Sequence, residues 1–145
     1  AMEKELGTMK EMGVWKLVEP PQGRKLVGNR WVFEFKPVDL KGGSRFKARL
    51  VAQGFSQIPG VDFHQTYAPV ARQASVKLLI ALAAQNDWEL DCFDAKRAFL
   101  HGRLTEEIYM KQPRGFERYS DAGVLLICLL LRSLYGLKQA AFDWY

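Results

Sequence analysis

Cysteine and histidine are scarce in this chain: Cys92, Cys128, His64 and His101 are the whole supply among 145 residues. Two cysteines set far apart make neither a zinc quartet nor a disulfide framework. Both are expected to be reduced core thiols of a cytosolic or nuclear protein. Long apolar runs are missing too. The longest, residues 124–131, has eight residues, well short of the ~20 that a membrane span needs. A buried strand is the better reading of it. The N-terminus, Ala1-Met2-Glu3-Lys4-Glu5, is charged and helix-forming, unlike a signal peptide. No repeat, low-complexity tract or linker interrupts the sequence. Nor is there a strong charge of one sign: 21 Lys and Arg stand against 16 Asp and Glu, giving +5. That is a mild bias toward polyanions, which many metabolic enzymes share.

What is present suits one soluble domain with one core. Hydrophobic residues make up 48% and charged residues 26%, which argues against disorder. Residues 1–12 read as the end of a helix, with Met2, Leu6 and Met9 at helical spacing and Gly13 as the stop. Residues 14–18 read as a short strand, closed by Pro20-Pro21. A hairpin follows, with strands over 29–37 and 45–54 and a turn at Gly42-Gly43. Alternation puts Arg45, Lys47 and Arg49 on one face of the second strand and Phe46, Ala48 and Leu50 on the other. Such a basic face is either a solvated surface or, beside a cleft, a polyanion contact.

Residues 56–70 are loop-like. Ser75 is then expected to cap a helix over 76–84, whose Val76, Leu79, Ile80 and Ala83 form a core-facing stripe. Residues 88–94 alternate as a strand that delivers Asp94 at its end, followed by a short helical stretch over 95–100 and a turn at His101-Gly102. Residues 108–110 and 124–131 are further strands, the second entering a glycine turn at Leu134-Tyr135-Gly136. Strands and helices mix without a βαβ rhythm, so the fold class is α+β.

The informative chemistry lies at Phe93-Asp94-Ala95-Lys96-Arg97-Ala98-Phe99-Leu100. A carboxylate ending a strand, beside small residues, can present a hard oxygen ligand to Mg²⁺. The alternative is a turn or cap residue, which is how a lone Asp at a strand end is most often used.

Here the sequence resembles the copia-type (Ty1/copia) retrotransposon reverse transcriptase domain. The matching blocks are Gly28-Asn29-Arg30-Trp31-Val32-Phe33, then Phe46-Lys47-Ala48-Arg49-Leu50-Val51-Ala52-Gln53-Gly54-Phe55-Ser56-Gln57, then Gly60-Val61-Asp62-Phe63 and Thr66-Tyr67-Ala68-Pro69-Val70-Ala71. They continue with Asp94-Ala95-Lys96-Arg97-Ala98-Phe99-Leu100-His101-Gly102, with residues 106–116, and with Ser133-Leu134-Tyr135-Gly136-Leu137-Lys138-Gln139-Ala140. The resemblance implies a right-hand polymerase fold, with fingers over about 14–75 and the start of the palm over 76–145, cut at both ends. It implies RNA- and DNA-templated DNA synthesis from dNTPs with two Mg²⁺ ions, inside a longer Pol polyprotein that supplies the rest of the palm, the thumb and RNase H. It also implies work on a template-primer in cytoplasmic virus-like particles, a nuclear stage, and no membrane.

Carried over by resemblance, Asp94 is the first metal-binding aspartate and the Ala95 carbonyl a second ligand. Phe99 is the aromatic steric gate that excludes a ribose 2′-hydroxyl. Lys47 and Arg49 reach the triphosphate, with Arg45 a weaker candidate. Tyr135, Gly136 and Lys138 belong to a turn beneath template base and nucleotide, which serves either as contact or as plain architecture. The family's Tyr-x-Asp-Asp hairpin does not occur in the sequence. Leu129, Leu131, Ala141 and Phe142 depart from the residues usual in relatives. The isolated chain is therefore expected to be inactive. Two other readings stand beside the enzyme: a nucleic-acid-binding remnant without chemistry, and an inert relic of a degenerate element.

Overall fold

The computed structural model describes residues 1–37 and 45–145. Helix α1 (Met2–Glu11) opens the chain. Its apolar positions put Met9 in the core and Leu6 against it, and Gly13 turns the chain with a left-handed φ of 62°. Three strands then make one antiparallel sheet in the order β1–β5–β4, with β1 at Trp15–Val18, β4 at Arg103–Met110 and β5 at Ile127–Arg132. Pairings such as Leu17 with Cys128 and Met110 with Cys128 put the most apolar run of the sequence at the sheet centre. A register shift between Arg103 and Ile108 bends β4.

The second sheet is a two-stranded ribbon, β2 (Asn29–Lys36) with β3 (Arg45–Ala52). The Gly42-Gly43 turn lies outside the described residues. The pairings Trp31–Leu50, Phe33–Ala48 and Phe35–Phe46 fix one apolar face, and Val32–Arg49 and Glu34–Lys47 fix the polar one. The alternation expected from sequence is thus the alternation found. The base of the ribbon is rooted in the core through Leu50 and Ala52, which pack with Val27, Met110, Leu134 and Leu137. Val27 joins ribbon to sheet, bonding Tyr109 O at 2.8 Å and accepting from Lys111 N at 2.9 Å.

Four sequence expectations need correction. Residues 88–94 form no strand. Alternation is only half of what a strand needs. The other half is a neighbouring ladder, and among the described residues neither sheet offers one to this segment. Helix α2 spans Gln73–Gln85 with Arg72 at the N-cap, so Ser75 sits inside the first turn and caps nothing. The apolar stripe of α2 does not face a core: Val76, Leu79 and Ile80 are 47%, 55% and 50% exposed, and Ala83 alone is buried. Cys128 is a core thiol, but Cys92 is exposed because the segment carrying it is unpaired.

The short strand expected over 108–110 is longer, and the one over 124–131 starts three residues later, at Ile127. Helix and antiparallel strand are mixed, as the α+β class requires. Among the described residues no helix is long and apolar enough to cross a membrane.

Candidate functional site

Three of the segments singled out by sequence meet at one corner, where the end of β3, the turn 134–136 and the 3₁₀ turn Ala98–His101 converge. The backbone does the joining. Ala52 N donates to Tyr135 O at 2.7 Å, and Gly54 N donates to Gly136 O at 3.1 Å. Gly136 has φ +90°, and a Cβ there would stand 2.2 Å from Ala52 O. Only glycine allows so close an approach of turn to strand. The ring of Tyr135 then meets Phe99 edge-on, with centroids 5.2 Å apart, a favoured aromatic geometry.

A buried amide cluster locks the same corner from behind. Gln57 Nε2 donates to Gln139 Oε1 at 3.0 Å, and Gln139 Nε2 donates to Asp62 O at 2.8 Å. Lys138 N donates to Gln57 Oε1 at 2.8 Å, and Ile58 N donates to Asp62 Oδ2 at 2.7 Å. Gln57, Asp62 and Gln139 are all buried. One bond joins the two amides, and backbone groups of Asp62 and Lys138 take the remaining donor and acceptor, which is the condition for placing such groups in a core. In the sequence these residues fall inside the matching motif blocks, where nothing marks a role for them. Their partners are about 80 positions away, so no local pattern announces them.

Lys47 stands opposite Glu34 on the polar face of the ribbon and is exposed. Arg49 is half-buried and donates from Nη1 to Glu34 Oε2 at 2.9 Å. The side chain of Arg45 lies outside the described part. Lys138 is exposed, while its backbone N–H serves the amide cluster.

Asp94 and Ala95 are exposed on the unpaired segment, five and four positions before Phe99. Among the described residues Asp94 makes no hydrogen bond or ion pair, and none joins it to Lys47 or Arg49. The structure therefore brings Phe99, Tyr135 and Gly136 together, and among the described residues no hydrogen bond or ion pair ties Asp94 or the basic pair to them. Next to Asp94 the chain is pinned at Arg97, which holds a left-handed φ of 56° and sets Nε 3.9 Å from Glu5 Oε2 of α1.

An exposed carboxylate with a neighbouring carbonyl suits one side of a hydrated Mg²⁺, which keeps several of its waters. It does not amount to a two-ion cage. Among the described residues no three His, Cys, Asp or Glu side chains stand together as a metal site. A groove of about 520 Å³ lies elsewhere, lined by Leu6, Met9, Trp15, Leu17, Pro113 and Phe116.

Two groups titrate above their ordinary ranges. Burial pushes the Cys128 thiol up to about 12. Burial also raises the Asp143 carboxyl, against a hydrogen bond from Ser133 that lowers it, with the charge of Glu106 adding to the rise. Both residues are architectural: Cys128 is central in the sheet, and Asp143 ties α3 (Ala140–Trp144) to Ser133 after β5.

Comparison with known proteins adds the following. A family model described as reverse transcriptase (RNA-dependent DNA polymerase) matches residues 12–145. The whole chain is 44% identical over 145 residues to a retrovirus-related Pol polyprotein from transposon TNT 1-94 of Nicotiana tabacum, covering 11% of it. It is 38% identical over 146 residues to those from transposons RE1 and RE2 of Arabidopsis thaliana, covering 10% of each. The chain thus spans about a tenth of the length of these relatives. No solved structure matches it.

Proposed function

Since this chain belongs to the reverse transcriptase (RNA-dependent DNA polymerase) family, we propose that it serves as the fingers and the start of the palm of a copia-type polymerase. Residues 14–75 form the fingers with their basic hairpin, and residues 76–145 begin the palm. The work is DNA synthesis from dNTPs on an RNA or DNA template-primer, within a longer Pol polyprotein in cytoplasmic virus-like particles, with a nuclear stage. The observation that carries this reading is the convergence on Tyr135. Its carbonyl takes the N–H of Ala52 and its ring meets Phe99, so three of the motif blocks share one corner.

In this reading Phe99 screens the sugar of the incoming nucleotide. A ring fixed edge-on by Tyr135 cannot swing aside, so an added 2′-hydroxyl meets a wall. The turn at Tyr135 and Gly136 carries that wall on the end of β3, and Lys138 offers an exposed cation beside it. Lys47 and Arg49 reach the triphosphate from the polar face of the ribbon, with Arg45 in a lesser role. Arg49 must first leave Glu34, to which it is bonded at 2.9 Å, so Lys47 makes the earlier contact.

Asp94 and the Ala95 carbonyl would be ligands to Mg²⁺, the remaining ligands coming from other parts of the polyprotein. When bound, Mg²⁺ neutralises charge on the phosphate oxygens. One carboxylate does not hold two such ions, so the 145-residue chain alone gives no primer extension.

The experiment is primer extension by a polyprotein carrying this segment, with Phe99→Ala beside the parent. The expected result is ribonucleotide incorporation raised by about tenfold or more, since loss of a steric barrier of ~1–3 kcal/mol is at stake. Unchanged sugar selectivity contradicts the assignment.

A further inference from the structure

Helix α1 buries one of its carboxylates. Glu3 and Glu11 are open to solvent, but the side chain of Glu5 is 11% exposed. A charge so placed needs a partner, because burial without one is costly. Among the described residues the side chain of Glu5 has one charged partner, Arg97, whose Nε stands 3.9 Å from Glu5 Oε2. At that distance the contact is ionic rather than a hydrogen bond.

Arg97 is unusual in its own right. It holds φ 56° and ψ 42°, inside the left-handed region, where the Cβ of an L-residue crowds the following carbonyl. Among the described residues the other non-glycine with a positive φ is Asp87, and Asp tolerates that region through local hydrogen bonds. Arginine has no such aid, so its conformation persists where a contact from outside holds it. The bend separates two groups of residues. Asp94 and Ala95 come just before it. Just after it, Leu100 N donates to Arg97 O at 2.9 Å and Gly102 N donates to Phe99 O at 3.1 Å. That turn is anchored, since Leu100 is fully buried and Phe99 meets Tyr135. If Arg97 relaxed to an ordinary φ, residues 94–96 would swing relative to Phe99.

We propose that Glu5 is a positioning residue for this segment: its buried carboxylate holds the Arg97 guanidinium, keeps the bend at Arg97 and so fixes where Asp94 stands relative to Phe99. Helix α1 then acts on the corner from outside it, through one ion pair. This deepens the proposed function and rests on it for the roles of Asp94 and Phe99. The hold on Arg97 itself needs neither a metal ion nor a nucleotide.

The test begins with Glu5→Leu. Leucine suits a buried helical position and leaves the half-exposed Arg97 free to turn to water, so α1 should keep its place. Amide exchange is read by NMR on the 145-residue chain in EDTA, at Leu100 and Gly102, with the amides of β5 as reference. Exchange at Leu100 is expected to rise about tenfold while β5 is unchanged. Adding Arg97→Asn should restore the parental rate, because Asn adopts the left-handed conformation without help. A Glu5 that merely stabilised α1 would give no such rescue. Arg97→Gln removes the pair from its exposed side and should raise exchange at Leu100 in the same way, so the test stands even where Glu5→Leu does not fold. In a polyprotein carrying the segment, Glu5→Leu should lower kcat for nucleotide addition by about tenfold or more, with KM for dNTP changed less, and Arg97→Asn should restore it. Parental exchange at Leu100 in the folded variants overturns the inference, and so does a rise that Arg97→Asn fails to reverse. A reversible rise with unaltered extension supports the hold on Arg97 and contradicts instead the placing of Asp94 and Phe99 at the nucleotide.

Discussion

Gln57 Nε2 donates to Gln139 Oε1 at 3.0 Å across 82 positions of sequence, with both side chains buried. This pair holds the loop after β3 against the segment after Tyr135, and so holds the proposed nucleotide corner closed from behind. Gln139→Ala should leave Gln57 Nε2 and Asp62 O with only the long bond between them, at 3.5 Å. Each unsatisfied buried group costs ~1–3 kcal/mol. A urea titration should therefore show a loss of about 2–4 kcal/mol, and a cycle with Gln57→Ala should show strong coupling between the two sites.

Gly136 and Gly60 both have left-handed φ, +90° and +77°. Their surroundings differ: nothing lies within 4 Å of a Cβ at Gly60, while at Gly136 it would meet Ala52 O at 2.2 Å. Gly60→Ala should cost only the conformational term, ~1–2 kcal/mol. Gly136→Ala should cost more, because the turn must also lift off β3. It should break the Ala52–Tyr135 bond and raise amide exchange at Ala52, which Gly60→Ala should leave unchanged.

The two thiols should separate cleanly. Cys128 is buried, with its thiol held near 12, and Cys92 is exposed. Reaction needs the thiolate. At about pH 8, near the ordinary thiol range, an aromatic disulfide reagent should titrate one thiol in the folded chain and a second only in denaturant. Rapid reaction of both thiols in the folded state would contradict the packing of β5.

Asp143 should give stability a slope opposite to that of most carboxylates. Its folded value lies above the unfolded one because burial disfavours the charge. In that window the folded state binds more protons than the unfolded state. Stability is then highest below the unfolded value of ~3.9 and falls as pH rises through the higher folded value. Asp143→Asn should flatten that slope while keeping an acceptor for the Ser133 hydroxyl. Thermal melts of both forms from about pH 3 to 7 would show it.

Local pattern and long-range pairing account for what was legible. The two faces of the ribbon follow from alternation, since Arg49 and Ala48 must point oppositely wherever the strand lies. The Gly136 turn follows from Leu-Tyr-Gly in an apolar context. Residues 88–94 alternate just as well, yet their ladder depends on a partner that no local pattern specifies. The α2 stripe is equally real, and Val76 and Ile80 are still half exposed. Periodicity names a face without naming what covers it. The Gln57–Gln139 bond is the extreme case: each glutamine alone reads as a surface residue, and only contact in space makes the pair. Family resemblance reaches the identity of the chain, while the amide cluster exists only through contacts made in the folded state.

The central claim is that the Asp94 carboxylate binds a divalent ion for DNA synthesis. It is tested most directly by single-turnover primer extension in a polyprotein carrying this segment, with Asp94 and with Asp94→Asn. Asparagine keeps size and shape but loses the charge, so the account predicts a loss of several kcal/mol in transition-state stabilisation, about a thousandfold in rate, with template-primer affinity nearly unchanged. Extension by the asparagine form at the parental rate would contradict it.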